Sequence, residues 1–234
     1  MEIQVYASSS KGNAYRVSDG ETGLLLECGI PYKKMLHEHG FRSKDVAGCL
    51  LTHGHKDHCM AIADVMRAGI DIYCSQGTSD ALDLTGHRVK TIAASANFRI
   101  GSWTVLPFET EHDAAEPLGY LLYSNLSGER ILFATDTYYI RYRFVGLNYI
   151  LIETNYADDI LQANVEAGRV PMELRNRLIK SHFSLANVKE FLRANDLSEV
   201  RGIWLLHLSD GNSDADRFKR EITELTGKPT YIAG

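Results

Sequence analysis

The stretch Leu51-Thr52-His53-Gly54-His55-Lys56-Asp57-His58 places three histidines and an aspartate within six positions. It overlaps the end of the apolar run from Val46 to Leu51, which the residue pattern predicts to be a buried strand. Neutral imidazole and carboxylate are the ligands that borderline divalent metals prefer. The stretch therefore predicts a metal-binding loop at the carboxyl end of a strand, where open α/β sheets place their chemistry.

The spacing within this stretch fits a set of converging ligands. In an extended loop His53 and His55 point to the same side, because side-chain direction repeats every two residues. Asp57 and His58 then open a helix that we predict to run from about residue 59 to residue 67. The alternative is a polar loop with exposed histidines. Further ligands elsewhere in the chain decide between the two interpretations.

Three more strand ends carry a histidine or an aspartate. They are His112 after the predicted strand 103–110, Asp136 after 130–134, and His207 after 202–206. Taken singly, a polar residue at a strand end is more often a helix cap or an exposed loop residue. Four strand ends that deliver His or Asp in series indicate one convergent site.

This ordered series resembles the metallo-β-lactamase fold of metal-dependent hydrolases, and the resemblance covers nearly the whole chain. It implies an α/β protein, an αββα sandwich of two mixed β-sheets flanked by helices, with two divalent metal ions, zinc or manganese. By that resemblance His53, His55 and His112 hold one metal, Asp57, His58 and His207 hold the other, and Asp136 bridges both.

One residue departs from the family pattern. Glu27, in Leu24-Leu25-Leu26-Glu27-Cys28-Gly29, stands where the family usually carries an aspartate that supports the metal-binding loop. Glutamate is one methylene longer, so the resemblance alone does not carry that supporting role over to Glu27.

Within the superfamily, three elements are similar to the YycJ/WalJ-type exonucleases. They are the opening Ser8-Ser9-Ser10-Lys11-Gly12-Asn13, the element Ser181-His182-Phe183-Ser184-Leu185-Ala186-Asn187, and the end His207-Leu208-Ser209-Asp210-Gly211-Asn212. In the last element Ser213 replaces the second asparagine of that group. Ser10, Asn13 and Asn212 are accordingly predicted to contact substrate, although Ser10 and Asn13 would look the same in a turn between strands.

A dinuclear site of this kind can act on a phosphodiester, a thioester or a β-lactam. Asp136 argues against the lactamases that place cysteine there. His182 precedes a predicted helix that Ser184 would cap, where a histidine can protonate a leaving oxygen or hold a phosphate. The alternative is a surface histidine at a helix start. We take Asp57 and His182 as the candidate catalytic residues.

Basic and aromatic residues follow Asp136 in Tyr138-Tyr139-Ile140-Arg141-Tyr142-Arg143-Phe144. Four further basic residues precede His182: Arg169, Arg175, Arg177 and Lys180. Arginine interleaved with tyrosine suits phosphate contact and base stacking, so Arg141 and Arg143 are predicted to bind substrate. The alternative is an ordinary solvated surface.

The 234 residues with 44% hydrophobic content can form one domain over residues 1–234. The net charge of −5 neither favours nor excludes nucleic acid. The four cysteines lack a Cys-x-x-Cys spacing and are predicted to be reduced core thiols. We expect no signal peptide, no membrane segment and a cytoplasmic location.

These observations predict a dinuclear metal-dependent phosphodiesterase in which a metal-bridged hydroxide attacks phosphorus. We expect it to be an exonuclease-like enzyme with a nucleic-acid substrate, DNA rather than RNA. Two alternatives stay open. One is a small-molecule thioester or acyl hydrolase of the glyoxalase type, and the other is a metal-binding module without turnover.

Overall fold

The computed structural model describes residues 1–234. The chain separates into two compact units, a first unit of Met1–Glu109, Ala114–Glu129 and Gly234, and a second unit of Thr110–Asp113 and Arg130–Ala233. Its strands form two mixed β-sheets, of six and seven strands, flanked by helices. This arrangement confirms the fold class predicted from the sequence. The organisation as one domain stays a prediction.

The first unit contains the strands β1 (Glu2–Ser9), β2 (Gly12–Ser18), β3 (Gly23–Leu26), β4 (Gly48–Leu50), β5 (Ile72–Cys74), β6 (Val89–Thr91), β7 (Phe98–Ile100), β8 (Trp103–Glu109) and β9 (Leu118–Ser124). Its helices are α1 (Tyr32–Glu38), α2 (Lys56–Cys59), α3 (Ile62–Arg67) and α4 (Gln76–Ala81), with a 3₁₀ turn at Ser43–Asp45. The second unit contains β10 (Arg130–Ala134), β11 (Tyr149–Glu153), β12 (Gly202–Leu206), β13 (Thr230–Ile232), and the helices α5 (Asp158–Glu166), α6 (Met172–Ser181), α7 (Leu185–Ala194) and α8 (Ala215–Thr226).

The six-stranded sheet of the first unit has the order β1-β2-β3-β4-β5-β6. Strands β1 to β3 are antiparallel, and β3 to β6 are parallel. Leu26 lies opposite Leu50, so β3 and β4 end at the same edge of the sheet. The residues that follow these two strands therefore emerge side by side.

The core of the first unit lies on a face of this sheet. Met35 of α1 and Val65 of α3 are fully buried there with Leu25, Leu51 and Ile72. Cys28, Cys49, Cys59 and Cys74 lie in the same core as free thiols, as predicted. Burial of this apolar surface, at about 25 cal/mol per Å², holds the strands and helices together.

The second unit contains the parallel part of the seven-stranded sheet. Its strands β10, β11, β12 and β13 pair in that order. Ala134 lies opposite Ile152, and Ile152 lies opposite Leu205. Because parallel strands in register end together, the residues after β10, β11 and β12 meet at one edge. Nearly continuous burial along these strands is typical of a parallel sheet covered on both faces.

Side chains cap three of the helices at their amino-terminal ends. The Ser184 side chain accepts a hydrogen bond from the backbone of Asn187 at 3.1 Å, and Ser75 caps α4 in the same way. Asp214 caps α8, which ends at Gly227 in the left-handed conformation with φ 65°. Ser184 therefore caps α7 two positions after His182, as predicted.

Two features differ from the prediction. The helix expected over residues 59–67 begins at Lys56 and is divided into α2 and α3, because the backbone at Ala61 donates to the Cys28 carbonyl at 2.8 Å. Strands β5, β6 and β7 were not predicted, since three residues each are too few to show an alternating pattern. None of the helices combines the length and the apolar character needed to cross a bilayer.

Candidate active site

The first unit brings four of the predicted ligands together in the histidine loop, residues His53–His58, which follows β4. His53 and His58 are buried, with ring centroids 4.2 Å apart, and His53 lies 4.7 Å from His55. The Asp57 carboxylate lies 3.3 Å from Nε2 of His58. Three imidazoles and a carboxylate thus face one another at the end of one strand.

Glu27 supports the histidine loop from the neighbouring strand end. Its fully buried carboxylate accepts a hydrogen bond from the backbone of Thr52 at 3.2 Å and lies 3.6 Å from Nδ1 of His58. Burial raises the pKa of Glu27, while His58 and Thr52 oppose that rise. The longer glutamate side chain therefore contacts both the loop backbone and a predicted ligand.

A close backbone approach fixes the same loop. A Cβ atom at Gly29 would lie 1.6 Å from the Asp57 carbonyl oxygen, so only glycine admits this packing. The Asn13 amide nitrogen lies 3.4 Å from the Asp57 carboxylate and 3.2 Å from Nε2 of His58. Asn13 is thus placed against the predicted ligands, whereas Ser10 lies exposed in the β1–β2 turn.

The second unit has a second polar cluster, named here the carboxylate cluster: Asp136, Glu153, His182 and His207. Its four ligand atoms all lie within 4.8 Å of one another. Nδ1 of His207 lies 2.9 Å from Asp136 Oδ1, and Nδ1 of His182 lies 2.6 Å from Glu153 Oε1. Each side chain comes from a strand end or, for His182, from the junction of α6 and α7.

The backbone at three strand ends adopts the left-handed conformation that non-glycine residues rarely occupy. The φ angles are 63° at Glu27, 46° at Asp136 and 51° at His207. Each such residue costs on the order of 1–3 kcal/mol, and strain of this kind concentrates at functional sites. The strain turns each side chain away from the strand direction and toward its cluster.

His112 joins the carboxylate cluster through its orientation. Nδ1 donates to the Ser181 carbonyl at 2.7 Å, and Nε2 lies 3.7 Å from Asp136 Oδ2. Burial lowers the pKa of His112, although Asp136 opposes this. A backbone acceptor at Nδ1 fixes the tautomer of a neutral imidazole and presents Nε2 as a metal ligand.

Glu153 was not singled out from the sequence. Its Oε2 accepts hydrogen bonds from the backbone of Thr137 at 2.9 Å and of Phe183 at 3.1 Å, while Oε1 faces His182 and His207. A charged residue that ends the apolar run Tyr149–Glu153 was the available signal, the same signal that identified Asp136 and His207.

The two carboxylates raise the pKa of His182 and of the buried His207. Burial lowers the pKa of His182, but Glu153 and Asp136 outweigh it and the net pKa is raised. Burial acts in the same direction on His207, and the same carboxylates raise its pKa to about 10. Burial would raise the pKa of Glu153, yet the adjacent His182 lowers it overall.

Two arginines form ion pairs with the acidic residues on either side of His112 in the sequence. Arg141 forms an ion pair with Glu111, and Arg177 forms one with Asp113 at 2.8 Å. Both guanidinium groups stay more than half exposed. Arg143 is also exposed and makes no ion pair. The acidic neighbours of His112 thereby place basic groups beside it.

The Asn212 side chain makes its hydrogen bonds with residues outside the carboxylate cluster. Its Oδ1 accepts from Asn164 at 2.8 Å and its Nδ2 lies 3.4 Å from the Ser209 hydroxyl. These bonds brace the loop that leads into α8. They give the Asn212 side chain a structural role and leave its predicted substrate contact untested.

The β-lactamase superfamily domain model matches residues 29–207, which include the histidine loop and every residue of the carboxylate cluster. The chain belongs to this superfamily. The fold implies divalent metal binding and a metal-dependent hydrolase, and the chain carries the His and Asp clusters that such a superfamily member needs.

Comparison with individual superfamily members agrees. The chain is 26% identical over 252 residues to the exodeoxyribonuclease YycJ of Bacillus anthracis, covering 100% of this chain and 92% of that relative. The metallo-β-lactamase fold protein YhfI of Bacillus subtilis superposes with a TM-score of 0.74 at 14% identity, over 99% of this chain and 95% of YhfI. The short form of human tRNase Z gives 0.67 at 13% identity, over 100% and 96%.

The donor chemistry fits divalent metals. The clusters offer imidazole nitrogen and carboxylate oxygen, without thiolate, which suits zinc or manganese. In the first unit, two buried imidazoles with centroids 4.2 Å apart would repel one another if both were protonated. Neutral imidazoles that each bind a cation would avoid this repulsion.

Proposed function

We propose that this protein is a dinuclear metal-dependent phosphodiesterase, a nuclease that acts on DNA. The observation that carries the proposal is the pairing of His182 with the buried Glu153 carboxylate beside Asp136 and His207. A pair of this kind supplies a positioned proton donor, which the release of an alkoxide from a phosphodiester needs.

The ligand assignment is part of the proposal. His53, His55 and His112 would hold one ion, Asp57, His58 and His207 would hold the other, and Asp136 would contribute its carboxylate to both. When bound, two divalent ions supply Lewis acidity, which lowers the pKa of water and stabilises negative charge on phosphate oxygens. Asp57 is part of the proposed ligand set and, with its carboxylate 3.3 Å from Nε2 of His58, is also a candidate catalytic residue.

His182 acts on the leaving group. The Glu153 carboxylate raises the pKa of His182, which favours the protonated imidazole. With Nδ1 held by Glu153, the proton on Nε2 is the one available to a leaving oxygen. Its side chain keeps 12% of its surface exposed, compared with 1% for His112 and 3% for His207. Substrate can therefore reach this histidine more readily than the two predicted ligands.

The basic side chains around His112 suit a polyanionic substrate. Arg141 and Arg177 flank that ligand, and Arg143 follows Arg141 without an ion pair. Phosphate contacts of this kind position a nucleic acid without reading its sequence. The similarity to an exodeoxyribonuclease favours DNA over RNA and an exonuclease over an endonuclease. A cytoplasmic location stays a prediction.

One assay tests the proposal. Purified protein supplied with Mn²⁺ or Zn²⁺ is incubated with end-labelled single- and double-stranded DNA and RNA, with a small thioester as control. We expect metal-dependent cleavage of DNA that chelation abolishes and metal restores. Rapid hydrolysis of the thioester without cleavage of any nucleic acid would instead establish the acyl-hydrolase alternative.

A further inference from the structure

A cavity of about 200 Å³ in the second unit is not used by the proposed metal ligands. It lies between the segment that follows β10 and helix α7. The residues that matter here are Tyr139, Arg141, Phe183, Asn187, Glu190 and Phe191. Sites for a complete small molecule usually measure about 300–1,000 Å³, so this cavity suits one ring system of a larger ligand.

Aromatic side chains line the buried part of the cavity, and polar side chains line its exposed rim. Phe183 and Phe191 are buried, with ring centroids 6.5 Å apart and planes inclined at 57°. Tyr139 is 54% exposed, an unusual position for a large aromatic side chain. An open tyrosine above a buried aromatic floor is a surface on which a flat ring can stack.

Both walls of the cavity are tied to the carboxylate cluster. Phe183 directly follows His182, and its backbone donates to Glu153 Oε2 at 3.1 Å. The Tyr139 carbonyl accepts a hydrogen bond from the hydroxyl of Thr137 at 2.8 Å, one residue after Asp136. A ring held in the cavity would therefore lie within one nucleotide of a phosphate at His182.

The polar rim favours a particular class of ring. Glu190 is exposed and makes no ion pair, so its carboxylate is available as a hydrogen-bond acceptor. Carboxylates accept hydrogen bonds from the exocyclic amino group of cytosine, whereas thymine carries no such group. Arg141 at the same rim is paired with Glu111 but stays more than half exposed, so it can also contact the adjoining phosphate.

We propose that this cavity binds one unpaired nucleobase of the substrate, that Tyr139 stacks on it, and that Glu190 favours bases with an exocyclic amino group. The proposal rests on the proposed function, because it needs a phosphodiester at His182. It adds a specificity site that would select single-stranded ends, since a base paired in a duplex cannot enter the cavity.

The test compares phosphodiesters that differ only in the presence of a base. The probes are p-nitrophenyl esters of deoxycytidine and thymidine phosphates, made at both the 5′ and 3′ positions, and methyl p-nitrophenyl phosphate. Tyr139→Ala should raise KM for the deoxycytidine ester about tenfold, a typical loss for one stacked base, and leave the methyl ester unchanged. Tyr231→Ala, an exposed tyrosine on β13, is the matched control.

A second variant tests the rim and does not depend on the first. The wild-type protein should prefer the deoxycytidine ester over the thymidine ester, and Glu190→Gln should reduce that preference. Equal effects of Tyr139→Ala on the base-containing and methyl esters, or no preference between the two bases, would overturn the proposal while the phosphodiesterase activity stands. If the wild-type protein hydrolyses none of the esters and no DNA, the proposed function itself fails and the base site fails with it.

Discussion

The Oε1 atom of Glu153 lies 2.6 Å from Nδ1 of His182, a shorter contact than its 3.2 Å approach to His207. The other oxygen of this carboxylate is held by the backbone N–H groups of Thr137 and Phe183. Because both oxygens are engaged, the carboxylate cannot rotate away from His182. The pair is therefore held in one geometry, as the proposed proton donor requires.

Glu153→Gln should lower kcat at least tenfold. The amide cannot accept from both backbone donors and hold a cationic imidazole, and a hydrogen bond to a charged group contributes about 1.5–3 kcal/mol. The measurement is steady-state cleavage of end-labelled DNA at saturating substrate, because its alkoxide leaving group needs the proton. Glu166→Gln on α5 is the matched control, and a Glu153→Gln variant within twofold of wild type would contradict the positioning role.

His182→Ala should keep both metals and lose turnover. General acid catalysis contributes about 10²–10⁴-fold, so a loss in that range is expected. Metal content is measured alongside activity, with His37→Ala on the exposed face of α1 as control. Activity within about threefold of wild type would dismiss the acid role. Loss of metal would make His182 a ligand instead.

Asp136→Ala should reduce the occupancy of both metal ions, because a bridging carboxylate serves both. The bound metal is measured by elemental analysis after dialysis against metal-free buffer. Asp158→Ala, in the first turn of α5, removes an acidic residue outside the cluster and should keep the full metal content. Full two-metal occupancy in the Asp136 variant would refute the bridging assignment.

The double change Arg141→Gln with Arg143→Gln should flatten the salt dependence of DNA binding. Each phosphate contact contributes about 0.7–0.9 to the slope of log K against log salt, so two contacts should reduce the slope by about 1.5. Activity on a small phosphodiester should stay intact. Lys219→Gln with Arg220→Gln on α8 removes the same charge as a control. Equal losses on DNA and on the small substrate would indicate a structural role.

Asp19 in the first unit should contribute stability that is lost in acid. Partial burial would raise the pKa of Asp19, but hydrogen bonds from Ser102, Thr22, Ser124 and Glu21 outweigh it and lower the pKa below 3.8. A carboxylate whose pKa is lowered by folding stabilises the folded state at every pH above its pKa in the unfolded chain. That contribution disappears as the pH falls through its pKa in the folded protein.

Asp19→Asn should therefore lower the free energy of unfolding by about 1–2 kcal/mol at pH 7, discounted for the partial exposure of Asp19. The difference from wild type should shrink below pH 3.8. Urea unfolding of wild type and variant at pH 7 and at a pH below 3.8 measures the difference in free energy of unfolding at each pH. A difference that is the same at both would show that the Asp19 charge contributes nothing.

Strand-end chemistry in the sequence predicted the loops that carry His and Asp, and the resemblance of that series to the metallo-β-lactamase fold predicted the fold class. His53, Asp136 and His207 each follow a predicted strand, and parallel strands in register must end together. The predictions were weakest for β5 to β7, because strands of three residues show no measurable alternation. The cap at Ser184 was predictable because it is a local interaction.

Contacts between distant positions were decided by the tertiary structure alone. Glu153 and His182 are 29 positions apart, and Arg141 and Glu111 are 30 apart. A charged residue in a sequence does not specify which distant partner it meets. The left-handed backbone at Asp136 and His207 is likewise imposed by surrounding packing, since non-glycine residues rarely adopt it, although Asp and His do so more often than most. Sequence alone therefore determined which chemistry the chain carries, and the folded structure decided which side chains it holds together.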